Sequence, residues 1–199
     1  MRKVAIIQAR MASTRLPGKV MRTLGEQTVL AHVLERCGAI PGIDEVVCAT
    51  VHGPDGDAIE KEANKCGATA FRGSENDVLD RYYQAAKSTQ ADVVVRVTSD
   101  CPLIDPKQCS AVIEKLLSEK ADYACNNMPP SWPVGLDCEA FLFSWLEKAA
   151  REARRPSERE HVTPYIRHHP DVKIVNVSSP EPDSVGHRWT LDNPDDWLF

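Results

Sequence analysis

The residues whose chemistry is most evident lie in one loop near the start of the chain, directly after an apolar run at positions 4–7. The loop places three cations, Arg10, Arg15 and Lys19, beside small hydroxyl-bearing residues such as Ser13. Arginine holds phosphate oxygens with a forked pair of donors, and lysine adds a mobile point charge. Backbone N–H groups at a strand–loop junction supply further donors to an anion. The segment therefore predicts a binding site for a polyphosphate.

A second candidate is Asp100, which follows the most continuous apolar run of the chain, at positions 92–97. Such a run is typical of a buried parallel strand, and ligands of open α/β sheets bind at the carboxyl ends of the strands. A carboxylate there can hold Mg²⁺ against triphosphate oxygens. Aspartate before a nearby proline, here Pro102, is also a frequent cap of a turn or helix. From the residues alone both interpretations stay open.

The order of residues in the first loop is more specific than its composition. It lacks the glycine spacing of a P-loop and of a dinucleotide site. It reads Gln-Ala-Arg-x-x-Ser-x-Arg-Leu-Pro-Gly-Lys and resembles the signature loop of the cytidylyltransferases. Similar motifs follow in family order, with Thr-Ser-Asp-Cys-Pro-Leu-Ile-Asp-Pro around Asp100 and Arg-Trp-Thr-Leu-Asp-Asn-Pro around Asp192. The resemblance covers nearly the whole chain and is closest to the spore-coat polysaccharide and acylneuraminate types.

This resemblance implies a three-layer α/β/α nucleotide-diphospho-sugar transferase fold, which is Rossmann-like with a mostly parallel sheet. The implied reaction transfers CMP from CTP to a sugar, an acidic keto-sugar, with release of pyrophosphate. Its implied setting is the biosynthesis of surface or spore-coat polysaccharide. Mg²⁺ is the implied cofactor, CTP and a sugar acceptor are the implied partners, and a homodimer is the implied assembly.

The resemblance also implies roles for individual residues. The implied catalytic residues are Arg10, Arg15, Lys19 and Asp100, and the implied metal ligands are Asp100 and Asp192. The implied nucleotide-binding residues are Gln8, Ala9, Arg10, Ser13, Lys19, Arg72 and Ser99. The implied sugar-binding residues are Asp137, Glu139, Glu160 and His161. Simpler roles stay open, because Asp192 could cap a final helix before Pro194 and Arg72 could only shape a turn.

Two other functions remain as alternatives. The first is a glycosyltransferase of related fold, which usually carries an Asp-x-Asp metal motif after a strand. The only such motif here is Asp55-Gly56-Asp57, in a loop that opens a predicted helix, which weakens that alternative. The second is a catalytically silent nucleotide-binding protein. The presence of Lys19, Asp100 and Asp192 argues against it.

The elements that must position these residues follow from hydrophobic periodicity. Strands are predicted at 4–7, 45–50, 70–72, 92–97, within 136–143, and at 173–177. Helices are predicted at 29–37, 57–66, 75–88, 105–119, 143–154 and 158–168, the last interrupted by Pro164. This alternation predicts a mostly parallel sheet with helices on both faces. Ser74 is expected to cap the helix at 75–88 in a capping box with Asp77, which could also pair with Arg81.

Bulk properties limit the class of protein. A chain of 199 residues is expected to form one nucleotidyltransferase domain, 1–199, and it ends inside a predicted helix, as if truncated at the C-terminus. A net charge of −5 argues against nucleic-acid binding. The seven cysteines form no C-x-x-C pair, which favours a reducing cytoplasm. No apolar stretch is long enough to span a membrane or to form a signal peptide.

Overall fold

The computed structural model describes residues 1–198, so Phe199, the last position of the predicted domain, lies outside the described residues. Within them, seven strands form the main sheet. In chain order these strands are β1 (Lys3–Gln8), β4 (Glu45–Val51), β5 (Thr69–Gly73), β6 (Val93–Thr98), β7 (Tyr123–Cys125), β8 (Glu139–Leu142) and β9 (Ile174–Asn176). A separate hairpin joins β2 (Thr23–Leu24) to β3 (Gln27–Thr28).

The main sheet has the order β5-β4-β1-β6-β8-β7-β9. All neighbouring strands are parallel except β8, which runs antiparallel to both β6 and β7. The chain leaves β1 towards β4 and β5 and then returns to place β6 on the other side of β1. This reversal opens a crevice at the carboxyl ends of β1 and β6, where ligands of doubly wound sheets bind.

Eight α-helices cover the sheet within residues 1–198. They are α1 (Val29–Gly38), α2 (Pro54–Lys65), α3 (Val78–Ser88), α4 (Pro106–Ser118), α5 (Phe143–Glu152), α6 (Pro156–His161), α7 (Pro164–His168) and α8 (Pro194–Leu198). None of these helices is both long and apolar enough to cross a bilayer. The seven cysteine thiols are free.

The two faces of the sheet carry separate hydrophobic cores. Successive side chains of a strand point to opposite faces. In β1, Ala5 and Ile7 therefore pack with α1, α2 and α4, whereas Val4 and Ile6 pack with α3, α5 and α7. Helices on both faces of a mostly parallel sheet make three layers, so the predicted fold is confirmed.

The local predictions were less accurate in several places, two of which concern α3 and β7. Helix α3 begins only at Val78, because Asp77 and not Ser74 is its N-cap and accepts a hydrogen bond from the N–H of Asp80. The Ser74 hydroxyl instead accepts a hydrogen bond from the N–H of Asp77, so the predicted capping box is wrong. Strand β7 was not predicted, since three residues are too few for a recognisable period.

Candidate active site

A cavity of about 310 Å³ opens at the carboxyl ends of β1 and β6. Its lining includes most of the residues that the sequence predicts for the site. These are Gln8, Ala9, Arg10, Ser13, Arg15, Lys19, Ser99, Asp100, Glu160, His161 and Asp192. The positions belong to four distant parts of the chain. The fold thus brings together the loop after β1, the loop after β6, the end of α6 and the segment before α8.

The loop after β1 owes its shape to its own hydrogen bonds. The N–H of Gly18 donates to the carbonyl of Met11 at 3.1 Å, and the N–H of Leu16 donates to the Ser13 hydroxyl at 3.3 Å. Gly18 has a φ of +65°, a left-handed conformation that favours glycine. Leu16 is buried and holds the loop against the core. A short 3-10 turn over Lys19–Met21 follows Gly18, so the loop closes at Lys19.

Lys19 lies between the two carboxylates that the sequence predicts as metal ligands. Its Nζ atom is 2.9 Å from Oδ2 of Asp100 and 3.0 Å from Oδ1 of Asp192. The other oxygen of Asp192 is 2.5 Å from Nη1 of Arg15. Asp100 and Asp192 are 92 positions apart in the numbering, yet both contact one ammonium group. Lys19 is only 12% exposed, whereas Arg15 is 62% exposed.

Backbone hydrogen bonds explain how Asp192 reaches this position. The N–H of Trp189 donates to the carbonyl of Val134 at 2.6 Å, and the N–H of Leu191 donates to the carbonyl of Asp100 at 2.8 Å. The Thr190 hydroxyl donates to the same Asp100 carbonyl at 3.0 Å. The segment before α8 is thus fixed directly beside Asp100. Both oxygens of Asp192 pair with cations, whereas Asp196, inside α8, accepts hydrogen bonds from the N–H groups at 192 and 193.

The charge of Lys19 governs the ionisation of Asp100. Burial acts to raise the pKa of Asp100, but the nearby ammonium of Lys19 and the hydrogen bonds from Thr98 and Lys19 outweigh it. The pKa of Asp100 is therefore held below its ordinary value. An ionised carboxylate of this kind is ready to accept a cation at neutral pH.

The donor set suits a divalent cation that also binds the substrate. Among residues 1–198, no group of three or more His, Cys, Asp or Glu side chains could hold a metal by itself. The carboxylates of Asp100 and Asp192 nevertheless converge on one point. Mg²⁺ is usually held by one or two carboxylates, with water and substrate phosphates completing its shell. Asp100 and Asp192 therefore fit such an ion when a triphosphate is present.

Two arginines of the cavity were not identified from the sequence. Arg81, on α3, and Arg96, on β6, both line the cavity. The sequence suggested that Arg81 pairs with Asp77, but Nη1 of Arg81 donates to the carbonyl of Ser74 at 2.7 Å. Gly73 makes room for this arginine, because an added Cβ would lie 2.9 Å from Cγ of Arg81. In the sequence, Gly73 could have indicated that a bulky side chain packs against this position. Only the structure shows that this side chain is Arg81.

Three predicted ligand-binding residues do not line this cavity. Arg72 pairs with Asp57 at 2.6 Å and with Glu60. Asp137 accepts a hydrogen bond from Asn127 at 3.1 Å. Glu139 is buried and forms an ion pair with Arg96 at 2.5 Å. These three side chains therefore form contacts with other side chains of the protein and do not face the cavity.

The Asp-x-Asp motif also lies away from the cavity lining. Asp55 and Asp57 fall in the first turn of α2, and Asp57 pairs with Arg72. First-turn carboxylates stabilise a helix through its dipole, which accounts for both residues without a metal. The glycosyltransferase alternative therefore gains no support from this motif.

Comparison with known proteins identifies the family of this chain. A model of the cytidylyltransferase family matches residues 4–179, and the chain therefore belongs to the cytidylyltransferase family. The chain is 39% identical to the uncharacterised protein MJ1063 of Methanocaldococcus jannaschii, over 99% of this chain and 81% of that protein. It is 34% identical to the spore coat polysaccharide biosynthesis protein SpsF of Bacillus subtilis, over 96% of this chain and 82% of that protein.

A solved structure extends the likeness to three dimensions. A cytidylyltransferase from Leptospira borgpetersenii serovar Hardjo-bovis superposes with a TM-score of 0.93 at 36% identity. The alignment covers 99% of this chain and 84% of that chain. Fold and family together define the chain as a CTP-dependent nucleotidyltransferase.

Proposed function

We propose that this cytidylyltransferase transfers CMP from CTP to the hydroxyl of an acidic keto-sugar and releases pyrophosphate. The observation that carries the proposal is the position of Lys19, between the carboxylates of Asp100 and Asp192 and in the same cavity as Arg10 and Arg15. A cavity with this charge pattern can hold both a triphosphate and a divalent cation.

In the proposed reaction the sugar hydroxyl attacks the α-phosphorus of CTP. The bond to the bridging oxygen of the β-phosphate breaks, pyrophosphate leaves, and the hydroxyl proton passes to a carboxylate or to solvent. Arg10, Arg15 and Lys19 would offset the charge on the phosphates and the leaving group. Catalysis would come mainly from positioning and from electrostatic stabilisation of the transition state.

We assign the metal site to Asp100 and Asp192, with Mg²⁺ as the proposed ion. When bound, the ion supplies Lewis-acid polarisation of phosphate oxygens. Lys19 would then exchange its carboxylate partners for phosphate oxygens, because its flexible stem and three donors allow it to turn. Gln8, Ala9, Ser13 and Ser99 line the same cavity and are proposed to contact the nucleotide.

The acidic acceptor is proposed from the family resemblance, whereas the charge of the cavity concerns the nucleotide. The cavity lining includes the five cations Arg10, Arg15, Lys19, Arg81 and Arg96, but only the three carboxylates Asp100, Glu160 and Asp192. This excess is smaller than the negative charge of a triphosphate, and Arg96 is already paired with Glu139, so the cations suit the nucleotide. We propose surface or spore-coat polysaccharide biosynthesis as the setting, and a homodimer as the assembly, both from the family resemblance.

A panel of acceptors tests this proposal directly. With CTP and Mg²⁺ fixed, pyrophosphate release is measured against acidic keto-sugars and, as matched controls, against neutral aldoses of similar size. We expect release to depend on one acidic keto-sugar. Release that depends on a neutral sugar would overturn the acceptor assignment and leave the nucleotidyltransferase class intact.

A further inference from the structure

The end of α6 contains a strained backbone turn beside the cavity. Val162 has φ of +70° and ψ of −57°, a conformation that β-branched residues adopt very rarely. The N–H of Thr163 donates to the carbonyl of His161 at 2.8 Å, which closes a γ-turn around Val162. Glu160 and His161, immediately before this turn, line the cavity. A strained turn persists only where the surrounding structure holds it in place, so its anchors can be sought in the contacts around it.

One anchor is a buried hydrogen bond from the turn to the sheet. The Thr163 hydroxyl donates to Oε1 of Glu139 at 2.9 Å, and both residues are almost completely buried. Val162 itself is fully buried in the core on that face of the sheet. Neither Thr163 nor Glu139 lines the cavity. The bond therefore acts on the turn and not on a ligand.

Glu139 also holds a cavity residue through its other oxygen. Nη1 of Arg96 donates to Oε2 of Glu139 at 2.5 Å, and Arg96 and Glu139 face each other in the register of β6 and β8. Nη2 of Arg96 reaches Oε1 of Gln8 at 3.5 Å, so the guanidinium extends towards the phosphate loop. The Arg96 Nε is buried and has no hydrogen-bond partner among the described residues. The Glu139 carboxylate thus contacts two groups near the cavity. One is Arg96, on the sheet side of the cavity, and the other is Thr163, which follows the turn after His161.

The Oε1 atom of Glu139, which accepts from Thr163, has a second hydrogen-bond donor that lies away from the cavity. The Tyr123 hydroxyl, on β7, donates to Oε1 of Glu139 at 2.5 Å. Tyr123 is fully buried and does not line the cavity. It therefore offers an internal control, because Tyr123→Phe removes one hydrogen bond to Glu139 and leaves the Thr163 hydroxyl in place.

Helix α6 has a second anchor two residues before His161. Nε of Arg159 donates to Oδ2 of Asp77 at 3.0 Å, and Nη1 of Arg159 donates to the carbonyl of Ala150 at 2.8 Å. Because α6 is fixed at Arg159 in this way, we expect loss of the Thr163 anchor to release only the residues after Arg159.

We propose that Glu139 is a positioning residue of the active site, which holds Arg96 and, through Thr163, the strained turn after His161 in one arrangement. It acts through these residues and does not touch the substrate. The catalytic part of this inference rests on the proposed function, whereas the structural part does not. The family resemblance implied instead that Glu139 contacts the sugar directly.

A pair of hydroxyl deletions tests the proposal. Thr163→Val and Tyr123→Phe each remove one donor to the same oxygen of Glu139, and Thr163→Ser restores the hydroxyl at position 163. Hydrogen exchange of the amides at 160–163 is measured first, without substrate. We expect faster exchange there in Thr163→Val, and wild-type exchange at these amides in Tyr123→Phe and Thr163→Ser. Steady-state kinetics should then show about a tenfold lower kcat/KM for Thr163→Val only, since small misplacement of contact groups is costly.

Hydrogen exchange and kinetics together distinguish a failure of the positioning role from a failure of the proposed function. Unchanged exchange at 160–163 in Thr163→Val, or equal losses of kcat/KM in Thr163→Val and Tyr123→Phe, would overturn the positioning role. Altered exchange together with a wild-type protein that turns over no CTP would support the structural link and contradict the proposed function instead.

Discussion

Lys19 is the residue at which the opposite charges of the cavity meet. Its ammonium contacts Asp100 and Asp192 at 2.9 and 3.0 Å, in a site that is largely shielded from solvent. An ammonium between two carboxylates is well placed to move towards phosphate oxygens when they arrive. The residue therefore connects the proposed metal ligands with the proposed phosphate loop.

Replacement of this residue should affect chemistry more than folding. We expect Lys19→Ala to lower kcat by roughly 10²–10³-fold, because a positioned charge that acts on the transition state is lost. Steady-state pyrophosphate release measures the effect, and Lys61→Ala, an exposed lysine of α2, is the matched control. A folded Lys19→Ala enzyme with the kcat of the wild type would remove Lys19 from the catalytic role.

Glu139 gives a prediction about stability and pH. Burial acts to raise the pKa of Glu139, but the Arg96 charge and the hydrogen bonds from Tyr123 and Arg96 hold it below the ordinary value. A carboxyl whose pKa is lowered by folding stabilises the protein above its unfolded pKa, about 4.3. That stabilisation is lost as the pH falls through the lower folded value.

Glu139→Gln should therefore destabilise the protein in a pH-dependent manner. At pH 7 we expect the free energy of unfolding to fall by about 3 kcal/mol, because Arg96 is left buried without its counter-charge. The difference from wild type should shrink as the pH falls below about 4.3, because the unfolded wild-type chain then binds a proton, until the folded carboxyl is neutral as well. Urea unfolding across this range measures it, with the exposed Glu147→Gln as control. A difference that stays constant from pH 7 to pH 3 would contradict this account.

At the scale of elements, the segment before α8 depends on a close approach to Gly135. This glycine has a φ of +106°, and an added Cβ would lie 2.6 Å from the backbone of Trp189 and Thr190. Hydrogen bonds between Val134 and the same segment depend on this approach. Because Asp192 follows directly, the metal site depends on the packing of two loops.

Gly135→Ala should consequently disturb both stability and the site. We expect a loss of about 3 kcal/mol in the free energy of unfolding, from the left-handed backbone and the overlap with a neighbouring backbone. For a chain of this size that is a fall of roughly 10 °C in Tm. Gly186→Ala is the control, since no atom lies within 4 Å of its added Cβ. Equal Tm values for the two variants would refute the role assigned to Gly135.

Strands and helices were predictable where the hydrophobic pattern extended over many residues. The strands β1, β4 and β6 and the helices from α1 to α5 follow from runs of apolar residues, and Asp105 caps α4 as a local pattern can indicate. Residues whose partners are distant in sequence were not predictable. The family resemblance implied that Glu139 contacts the sugar, and nothing in the sequence links it to its partner Arg96, 43 positions away. Arg81 was missed for the same reason, since its place in the cavity depends on packing around Gly73.

At the scale of the whole molecule, the order of strands creates the site. The reversal between β1 and β6 brings the loop after Gln8 and the loop after Thr98 to one crevice. Alternation of strands and helices predicted the layers, but it cannot place an antiparallel strand such as β8 next to β6. That placement matters, because it sets Glu139 opposite Arg96.

The most direct test of the account measures nucleotide use by the whole enzyme. Pyrophosphate release is followed with Mg²⁺, an accepted sugar and each of CTP, UTP, ATP and GTP, for the wild type and for Lys19→Ala. We expect release from CTP alone, reduced strongly in Lys19→Ala. Equal release from another nucleotide would contradict the assignment of this cavity to CTP, and wild-type activity in Lys19→Ala would show that the chemistry occurs without the charge cluster at its centre.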